Sequence, residues 1–425
     1  MSPDEQGLSL PSPDRLSNLN IHLIDDILSR LSFRDVVRVS TLSKDWEYIC
    51  WRIPHVKFDQ TVWKTPEDLM SPTIGFIPIL DSFLRLHRGI ILKVTLNIIS
   101  LIVCPDVDRL IFSLDTDHLQ HFVLKLPFTY PPYRLPNLFF NCSALRNLYL
   151  KECEIQLPCF FKGFNKLIRI ILKSVTLSFD TFESLISNCP LLEDLVLKDI
   201  ENPYFMSINA PKLRSFVFRG DIQLIHLESV PVLSNVLYAP RELVLENEDD
   251  FVNIFSSIPS LECFSWDHFE VDNGSTKLIP TRLPSDLNCL KCLFMSSITL
   301  GEFFELSFAL CIIRSSPNLE EIESKECILS DGDYFECVPQ EVVDEILASF
   351  SDITFNHLRT VKFYYVLFED VEMQLIKVLL AKSPALVKMV IKPRQMETNK
   401  SLNVLVEITK FQRASSKAEV MYLVD

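Results

Sequence analysis

The first pattern of apolar and polar positions lies in residues 14–51 and is helical. One apolar stripe, spaced i, i+1, i+4, i+5 and i+8, is formed by Leu23, Ile24, Ile27, Leu28 and Leu31. Ser32, with Asp35 three residues later, resembles a capping box and predicts the start of a second helix. Ser43 can cap a third helix, which carries Trp46. Three helices this short are marginal alone, so the module needs a neighbour to pack against.

A second pattern recurs through the middle of the chain, L-x-x-L-x-L-x-x-[CNV]-x-L. The clearest copies begin at Leu145, Leu167, Leu290, Leu319 and Leu358, and shorter copies begin at Leu119, Leu192, Leu213, Leu261 and Leu386. The first spacings, from 145 to 167, 192 and 213, fall within the 20 to 29 residues of a leucine-rich repeat. Later spacings are looser, which predicts an irregular C-terminal half.

An apolar helix end and then a proline precede the strand leucine in four of these copies. The four segments are 185–195, 254–264, 312–322 and 379–389. Because proline cannot continue a helix, each segment predicts a helix, a stop and then a strand. One helix and one parallel strand per repeat predict a leucine-rich horseshoe, in which the residues flanking the inner leucines line the concave face. An ordinary α/β sheet with Leu-rich strands is the alternative.

The composition argues against several classes of enzyme and against nucleic-acid binding. Glycine supplies 8 of 425 residues, where average usage of about 7% predicts roughly 30. The glycines lie too far apart for the Gly-rich motifs of dinucleotide folds, P-loops or nucleophile elbows. A net charge of −15 argues against binding nucleic acid through bulk charge and favours protein partners.

The expected environment is the reducing cytoplasm, the nucleus or both. Twelve scattered cysteines are too sparse for a disulfide scaffold, and residues 1–15 contain no apolar leader. The most apolar stretch, 90–104, is interrupted by Lys93 and Asn97 and is too short to span a bilayer. We therefore expect no membrane association.

The helical module resembles the F-box of plant proteins. The resemblance rests on Leu19, LIDDIL (23–28), RL (30–31), RDVVR (34–38) and S-x-LSKxW (40–46). It implies docking on a Skp-type adaptor of a cullin-RING ubiquitin ligase. The docking residues that it implies are Leu19, Ile24, Leu28, Leu31, Lys44 and Trp46.

Two positions depart from the F-box pattern. Asn20 stands where the family usually has proline, and Asp45 stands where a basic residue usually precedes the tryptophan. Asn20 is still a good N-cap, so the first helix is expected to form. Asp45 adds negative charge close to the docking surface, which leaves the adaptor affinity open. The alternative is that the three helices only cap the repeats.

The C-terminal segment 355–393 resembles the FBD domain that follows leucine-rich repeats in plant F-box proteins. Its residues predict a strand, a helix, a strand and a last helix, followed by the edge segment 418–424. The predicted organisation is an F-box over 14–60, leucine-rich repeats over 61–339 and an FBD domain over 340–425. The fold class is α/β, a three-helix F-box followed by an irregular solenoid with the FBD domain as its cap.

The predicted concave face carries an excess of positive charge on its first four clear strands. The candidate target-binding residues are Tyr149, Lys151, Arg169, Lys173, Lys198 and Arg219. Such a stripe would suit an acidic or phosphorylated ligand, although solvent-compatible residues on an exposed face are the simpler interpretation. Later strands reverse the tendency at Glu321 and Glu323.

Other residues could suggest chemistry but have simpler interpretations. Cys289 and Cys292 have the spacing of half a zinc site or a redox pair, and no second pair lies at a ligand spacing. His118 and His121, near Asp115, could suggest a metal cluster, yet they fit the repeat frame as surface residues. We expect no metal and no cofactor.

The sequence therefore predicts a non-catalytic substrate-recognition subunit of a Skp–cullin–F-box ligase. The F-box would bind the adaptor and the repeats would bind the target protein. A leucine-rich binding or inhibitory scaffold that does not assemble into a ligase is the alternative, and an enzyme built on the cysteines and histidines is the third possibility.

Overall fold

The computed structural model describes most of the chain. The described residues are 19–62, 72–101, 104, 106–201, 205–221, 224–240, 248–267, 279–300, 302–326, 338–394 and 398–423. Four parts of the predicted features lie outside them, namely residues 14–18 of the F-box segment, the end of the repeat that begins at Leu319, residue 424, and Cys327 with Cys337.

The chain divides into two compact units. The first contains Met1–Glu154 and Pro158–Phe164, and the second contains Ile155–Leu157 and Asn165–Asp425. The F-box helices therefore share a unit with the first repeats.

The first unit begins with three short helices and continues into a parallel sheet. The helices are α1 (Ile21–Arg30), α2 (Phe33–Ser40), α3 (Lys44–Cys50), α4 (Pro72–Leu86) and α5 (Asp108–Ser113). The strands are β1 (His55–Phe58), β2 (Lys93–Asn97), β3 (His121–Lys125), β4 (Tyr133–Arg134) and β5 (Asn147–Glu154). The sheet order is β1-β2-β3-β5, and β4 also pairs with β5.

Side-chain caps start each of the three F-box helices where the sequence predicts them. The Asn20 side chain accepts from the backbone N–H of His22 at 3.0 Å, so α1 forms without the family's proline. Ser32 caps α2 by accepting from the backbone N–H of Asp35 at 3.2 Å. Ser43 caps α3 in the same way. Each cap satisfies a backbone donor that the first helical turn leaves free.

A phenylalanine cluster joins the F-box to the rest of the first unit. Phe33 of α2 lies with its ring centroid 4.8 Å from that of Phe58 in β1. Phe58 is fully buried and also contacts Phe76 and Phe83 of α4, at 6.3 and 5.3 Å. The neighbour that the short helices need is therefore present within the chain.

We expect the stability of the first unit to fall when the pH drops below the ordinary histidine pKa of about 6.5. Burial lowers the pKa of His87, whose Nε2–H donates to the carbonyl of Ile53 at 3.0 Å. Between pH 7.5 and 5.5 the unfolded chain therefore binds more protons at this histidine than the folded chain does, which favours unfolding. Urea unfolding at these two pH values should show a lower midpoint at pH 5.5, and His87→Gln should reduce the difference. An equal difference in the variant would contradict the assignment to His87.

The second unit continues the parallel arrangement of strands. Its strands are β6 (Arg169–Thr176), β7 (Asp194–Lys198), β8 (Phe205–Asn209), β9 (Ser215–Gly220), β10 (Leu224–Ser229), β11 (Asn235–Pro240), β12 (Cys263–Asp267), β13 (Cys292–Ile298), β14 (Glu321–Glu326), β15 (Thr360–Val366), β16 (Lys388–Pro393) and β17 (Glu419–Tyr422). Its helices are α6 (Phe179–Ser187), α7 (Glu248–Ser256), α8 (Phe303–Arg314), α9 (Gln340–Ser349), α10 (Asp370–Lys382) and α11 (Thr398–Thr409). The sheet order is β6-β7-β9-β11-β12-β13-β14-β15-β16-β17.

The repeat frame is confirmed at every strand that the sequence predicts. Each of the ten pattern leucines is followed two residues later by the first residue of a strand. Alternate strand residues are buried and the others are partly exposed, as in β7 and β9. The leucines therefore form the core, and the residues between them form an exposed face of each unit's sheet.

The eighth residue of the repeat pattern adopts a left-handed backbone in five copies. These residues are Glu152, Ser174, Asp199, Ser297 and Tyr365, with φ between 47° and 65°. The strand register shifts across two of them, between Ser296 and Ile298 and between Tyr364 and Val366. This conformation ordinarily favours glycine. The scarcity of glycine therefore does not reflect a lack of left-handed positions, because other residues occupy them.

The prediction of one helix per repeat is wrong for four copies. Those that begin at Leu119 and Leu145 contain no α-helix, and those that begin at Leu192 and Leu213 have a strand in its place. The chain between β7 and β9 forms β8, and the chain between β9 and β11 forms β10. These two strands pair with each other in a separate parallel sheet. Both segments have a proline two residues before the next leucine, Pro211 and Pro231, but the apolar residues before it alternate with polar ones, which favours a strand rather than a helix.

The C-terminal elements follow the predicted order. β15, α10, β16 and α11 succeed one another, and β17 pairs with β16. A capping box between Glu369 and Glu372 starts α10. The curvature of a horseshoe and the role of this segment as a cap remain predictions. No helix in the described ranges is long and apolar enough to cross a membrane.

Candidate protein-binding surfaces

An apolar groove opens on the F-box between α1, α3 and the turn before α3. It has a volume of about 340 Å³ and is lined by Leu19, Ile24, Ile27, Leu28, Leu31, Val39, Leu42, Ser43 and Trp46. The groove is formed by one side of the small F-box core, in which Leu19, Leu31, Val39 and Trp46 are only partly buried. Such a groove, lined almost entirely by apolar side chains, is suited to receive apolar side chains of a partner.

The structure brings together five of the six predicted docking residues. Ile24 and Leu28 are 3% and 2% exposed and form the buried part of the groove. Leu19, Leu31 and Trp46 are half-buried and line its open part. Lys44 is exposed at the start of α3 and does not line the groove.

The most accessible apolar residues of the groove were not among the predicted docking residues. Ile27 is 43% exposed and Leu42 is 70% exposed, and Val39 lies between them in sequence. Ile27 belongs to the predicted apolar stripe, so its spacing could have identified it. Leu42 lies in the turn between two helices, where periodicity gives no information.

Asp45 lies in the first turn of α3 and is exposed. A carboxylate at this position interacts favourably with the positive end of the helix dipole. Asp45, in place of the family's basic residue, is therefore compatible with a stable α3. Any effect of Asp45 would be on the binding of a partner and not on the fold.

The exposed face of the first unit's sheet carries Tyr149 and Lys151, two of the predicted target-binding residues. Lys125 of the neighbouring strand lies with its Nζ 4.6 Å from the Tyr149 ring centroid. Burial raises the pKa of Tyr149. Lys151 Nζ lies 3.8 Å from a carboxylate oxygen of Glu152, so its charge is partly balanced. Lys125 is a further cation on this face that the predicted set lacked.

The exposed face of the second unit's sheet carries the other four predicted residues. Lys173 of β6, Lys198 of β7 and Arg219 of β9 are register partners on successive strands. Arg169 lies at the start of β6, opposite Asp194. Lys173 and Lys198 form no ion pair with another described residue.

Arg219 differs from the two lysines because its guanidinium is already bound within the chain. It donates to the Asp267 carboxylate, two strands away on β12. The intervening Ala239 is fully buried and is small enough to allow this contact. The sequence could not show this pair, because 48 residues separate its members.

The acidic residues farther along this face are also paired. Lys362 of β15 donates to Glu321 and Glu323 of β14, at 2.6 and 3.1 Å. These hydrogen bonds raise the pKa of Lys362. Among the described residues, the predicted cations that form no ion pair are therefore Arg169, Lys173 and Lys198, on β6 and β7.

Comparison with known proteins identifies the family of this chain. A model of the F-box domain matches residues 16–55. A model described as the LRR repeats of the FBD-associated F-box protein At5g56370 matches residues 107–324, which is just over half of the chain. The chain belongs to the F-box/FBD/LRR-repeat proteins.

Individual members of the family align along most of this F-box/FBD/LRR-repeat protein. The F-box/FBD/LRR-repeat protein At1g13570 of Arabidopsis thaliana is 27% identical over 97% of this chain and 99% of its own length. The putative FBD-associated F-box protein At5g56440 of the same plant is 26% identical over 96% of this chain and all of its own length. The predicted family is therefore confirmed.

Cys289 and Cys292 of this F-box/FBD/LRR-repeat protein, which have the C-x-x-C spacing in the sequence, lie in different environments in the structure. Cys292 is the register partner of Cys263 on β12, while Cys289 is exposed in the preceding turn. Burial and a hydrogen bond with Cys263 raise the pKa of Cys292. A raised pKa disfavours the thiolate that metal binding and redox exchange require.

His118 and His121, which lie near Asp115 in the sequence, contact different residues. His118 Nδ1 lies 2.8 Å from the Asp115 carboxylate at the surface. His121 lies on the exposed face of β3, and its Nδ1 is 2.6 Å from the Asn147 amide nitrogen. Within the described ranges, no three His, Cys, Asp or Glu residues are grouped so that they could hold a metal ion.

Proposed function

We propose that this protein is the substrate-recognition subunit of a Skp–cullin–F-box ubiquitin ligase. The observation that carries the proposal is the apolar groove, which lies within the segment that matches the F-box domain. The adaptor would insert apolar side chains between α1 and α3. Leu19, Leu31 and Trp46 would contact it, together with Ile27 and Leu42.

The exposed strand faces would hold the target protein. The match to leucine-rich repeats supports this role, because stacked repeats present an extended surface of adjacent side chains. The protein would act by proximity and perform no bond chemistry itself. It would raise the effective concentration of the target's lysines near a charged E2 enzyme. The cytoplasm, the nucleus or both are the proposed location.

Co-purification of the full chain with a Skp-type adaptor tests the adaptor half of this proposal. We expect the wild-type chain to bind and Leu42→Asp to weaken binding at least tenfold, which corresponds to about 1.4 kcal/mol. Leu42 is 70% exposed, so the substitution places a charge in the groove without removing a buried side chain. The affinity can be measured by calorimetry.

Leu402→Asp is the matched control. Leu402 is 54% exposed on α11, far from the F-box in sequence, and this variant should bind the adaptor as the wild type does. Equal binding by Leu42→Asp would rule out the groove as the docking surface. No binding by the wild type would favour a leucine-rich scaffold that does not assemble into a ligase.

A further inference from the structure

Two parallel rows of side chains cross the exposed face of the second unit's sheet. The apolar row consists of Ile171, Val196, Val217 and Leu237, which are register partners on β6, β7, β9 and β11. The basic row consists of Lys173, Lys198 and Arg219, two residues farther along the first three of these strands. All seven side chains are partly exposed.

Neither row continues onto β12. The register partner of Leu237 on this strand is Ser265, which interrupts the apolar row. Asp267 binds Arg219 and closes the basic row. On the other side of the apolar row, Arg169 and Asp194 are register partners of opposite charge, and the next two positions, Ser215 and Asn235, are neutral. The surface is therefore apolar along its middle and positive along one edge only.

We propose that this surface binds an amphipathic α-helix of the target protein, with carboxylate side chains along one edge of the helix. This inference rests on the proposed function, because it names the kind of segment that the target presents. The apolar side of the helix would lie on the apolar row, and its acidic edge would face Lys173 and Lys198.

The spacing of the rows favours a helix over an extended segment. Neighbouring strands lie about 4.8 Å apart, so the apolar row spans roughly 14 Å. About ten helical residues cover this length, and their i, i+4 side chains are about 5–6 Å apart. Same-side residues of an extended segment are about 6.6 Å apart and would lose register with the row by roughly 5 Å after three steps.

The hydrogen bonding of the sheet also excludes strand addition at this surface. β7 pairs with β6 and β9, and β9 pairs with β7 and β11. The backbone groups of these inner strands are therefore committed to the ladder. A ligand lying on this face must use side chains, as a helix on an apolar surface does.

The chemistry of the basic row favours carboxylates over phosphate. Arginine is the side chain that binds phosphate through two parallel hydrogen bonds, and Arg219 is engaged by Asp267. The two cations of this row without a described ion-pair partner are Lys173 and Lys198, which act as single point charges. Two carboxylates one helical turn apart match two such charges on neighbouring strands.

Binding of synthetic peptides to the full chain tests the proposal. The probe is a fluorescent 14-residue peptide, helical in isolation, with Leu on one side and Glu along one edge. Its comparisons are a peptide with Gln in place of Glu, a scrambled isomer that is not amphipathic, and a non-helical phosphoserine peptide. We expect measurable binding of the Glu peptide by anisotropy, and at least tenfold weaker binding of each comparison.

Variants of the chain assign the binding to the two rows. Lys173→Glu with Lys198→Glu should weaken binding of the Glu peptide at least tenfold, and Val217→Ser should weaken binding of both the Glu and Gln peptides. Lys212→Glu, at an exposed position in the turn before β9 and outside both rows, should change the affinity less than twofold. Circular dichroism would check that each variant is folded.

Three results would overturn the proposal: no binding of the Glu peptide to the wild type, equal binding by the lysine variant, or tighter binding of the scrambled or phosphoserine peptide. Adaptor binding is measured separately and depends on the groove in the first unit. Failure of the peptide test with intact adaptor binding would therefore remove this inference and leave the proposed function standing.

Discussion

Phe58→Ala is expected to lower the free energy of unfolding of the first unit by about 3–5 kcal/mol, the range measured when a buried phenylalanine is truncated. Phe58 is fully buried in β1 and contacts Phe33, Phe76 and Phe83. Truncation removes its burial and leaves a cavity between α2 and α4. The loss of unfolding free energy can be measured by urea unfolding, with amide hydrogen exchange in β1 as the probe.

The same substitution is expected to weaken adaptor binding indirectly. Phe33 belongs to α2, the helix that precedes Leu42 of the groove, and it rests on Phe58 at 4.8 Å. Phe128→Ala is the control, because Phe128 is 73% exposed and should change stability by less than about 0.5 kcal/mol. An equal stability loss in both variants would show that the cluster does not support the F-box.

Gly89→Ala is expected to destabilise the first unit by about 2–3 kcal/mol, because the backbone leaves no room for a side chain. A Cβ at this position would lie 2.5 Å from the carbonyl oxygen of Arg52 and 2.9 Å from its Cα. The adjacent Arg88 N–H donates to the Trp51 carbonyl at 2.8 Å, and this hydrogen bond must lengthen if the two segments separate. The unfolding midpoint in urea provides the measurement.

The double variant Gly89→Ala, Arg52→Ala separates the backbone contact from side-chain effects. The clash involves backbone atoms of residue 52, so removal of the Arg52 side chain should not restore stability. Recovery in the double variant would contradict this explanation. Among the glycines of this chain, Gly89 is required for a close approach, whereas Gly220 is favoured by its φ of 147°.

The strands were predictable where the sequence follows the repeat pattern closely. All ten predicted strands form. Three others, β1, β2 and β11, also start two residues after an apolar side chain, namely Ile53, Ile91 and Leu233. The first two were missed because isoleucine replaces the pattern's leucine, although either side chain fills the same position in the core. In β11, Val236 and Tyr238 replace the later leucines. A pattern that allows any apolar residue, aromatic ones included, would have found all three strands.

The F-box was predictable as a set of helices and only partly as a binding surface. Capping by Asn20, Ser32 and Ser43 depends on neighbours in sequence, and each cap forms as expected. The accessibility of Leu42 depends on how three helices pack. No local rule connects a turn residue with a groove on another helix.

The sequence by itself determined the family, the caps of the F-box helices and the frame of the ten predicted strands, because these depend on periodicity and on caps that act within a few residues. The tertiary structure decided which polar side chains remain available. Arg219 is bound by Asp267 and Lys362 by two glutamates, whereas Lys173 and Lys198 have no described ion-pair partner. The physical reason is that the strand register joins residues up to 48 positions apart, and a charge can be assessed only beside the residues that surround it.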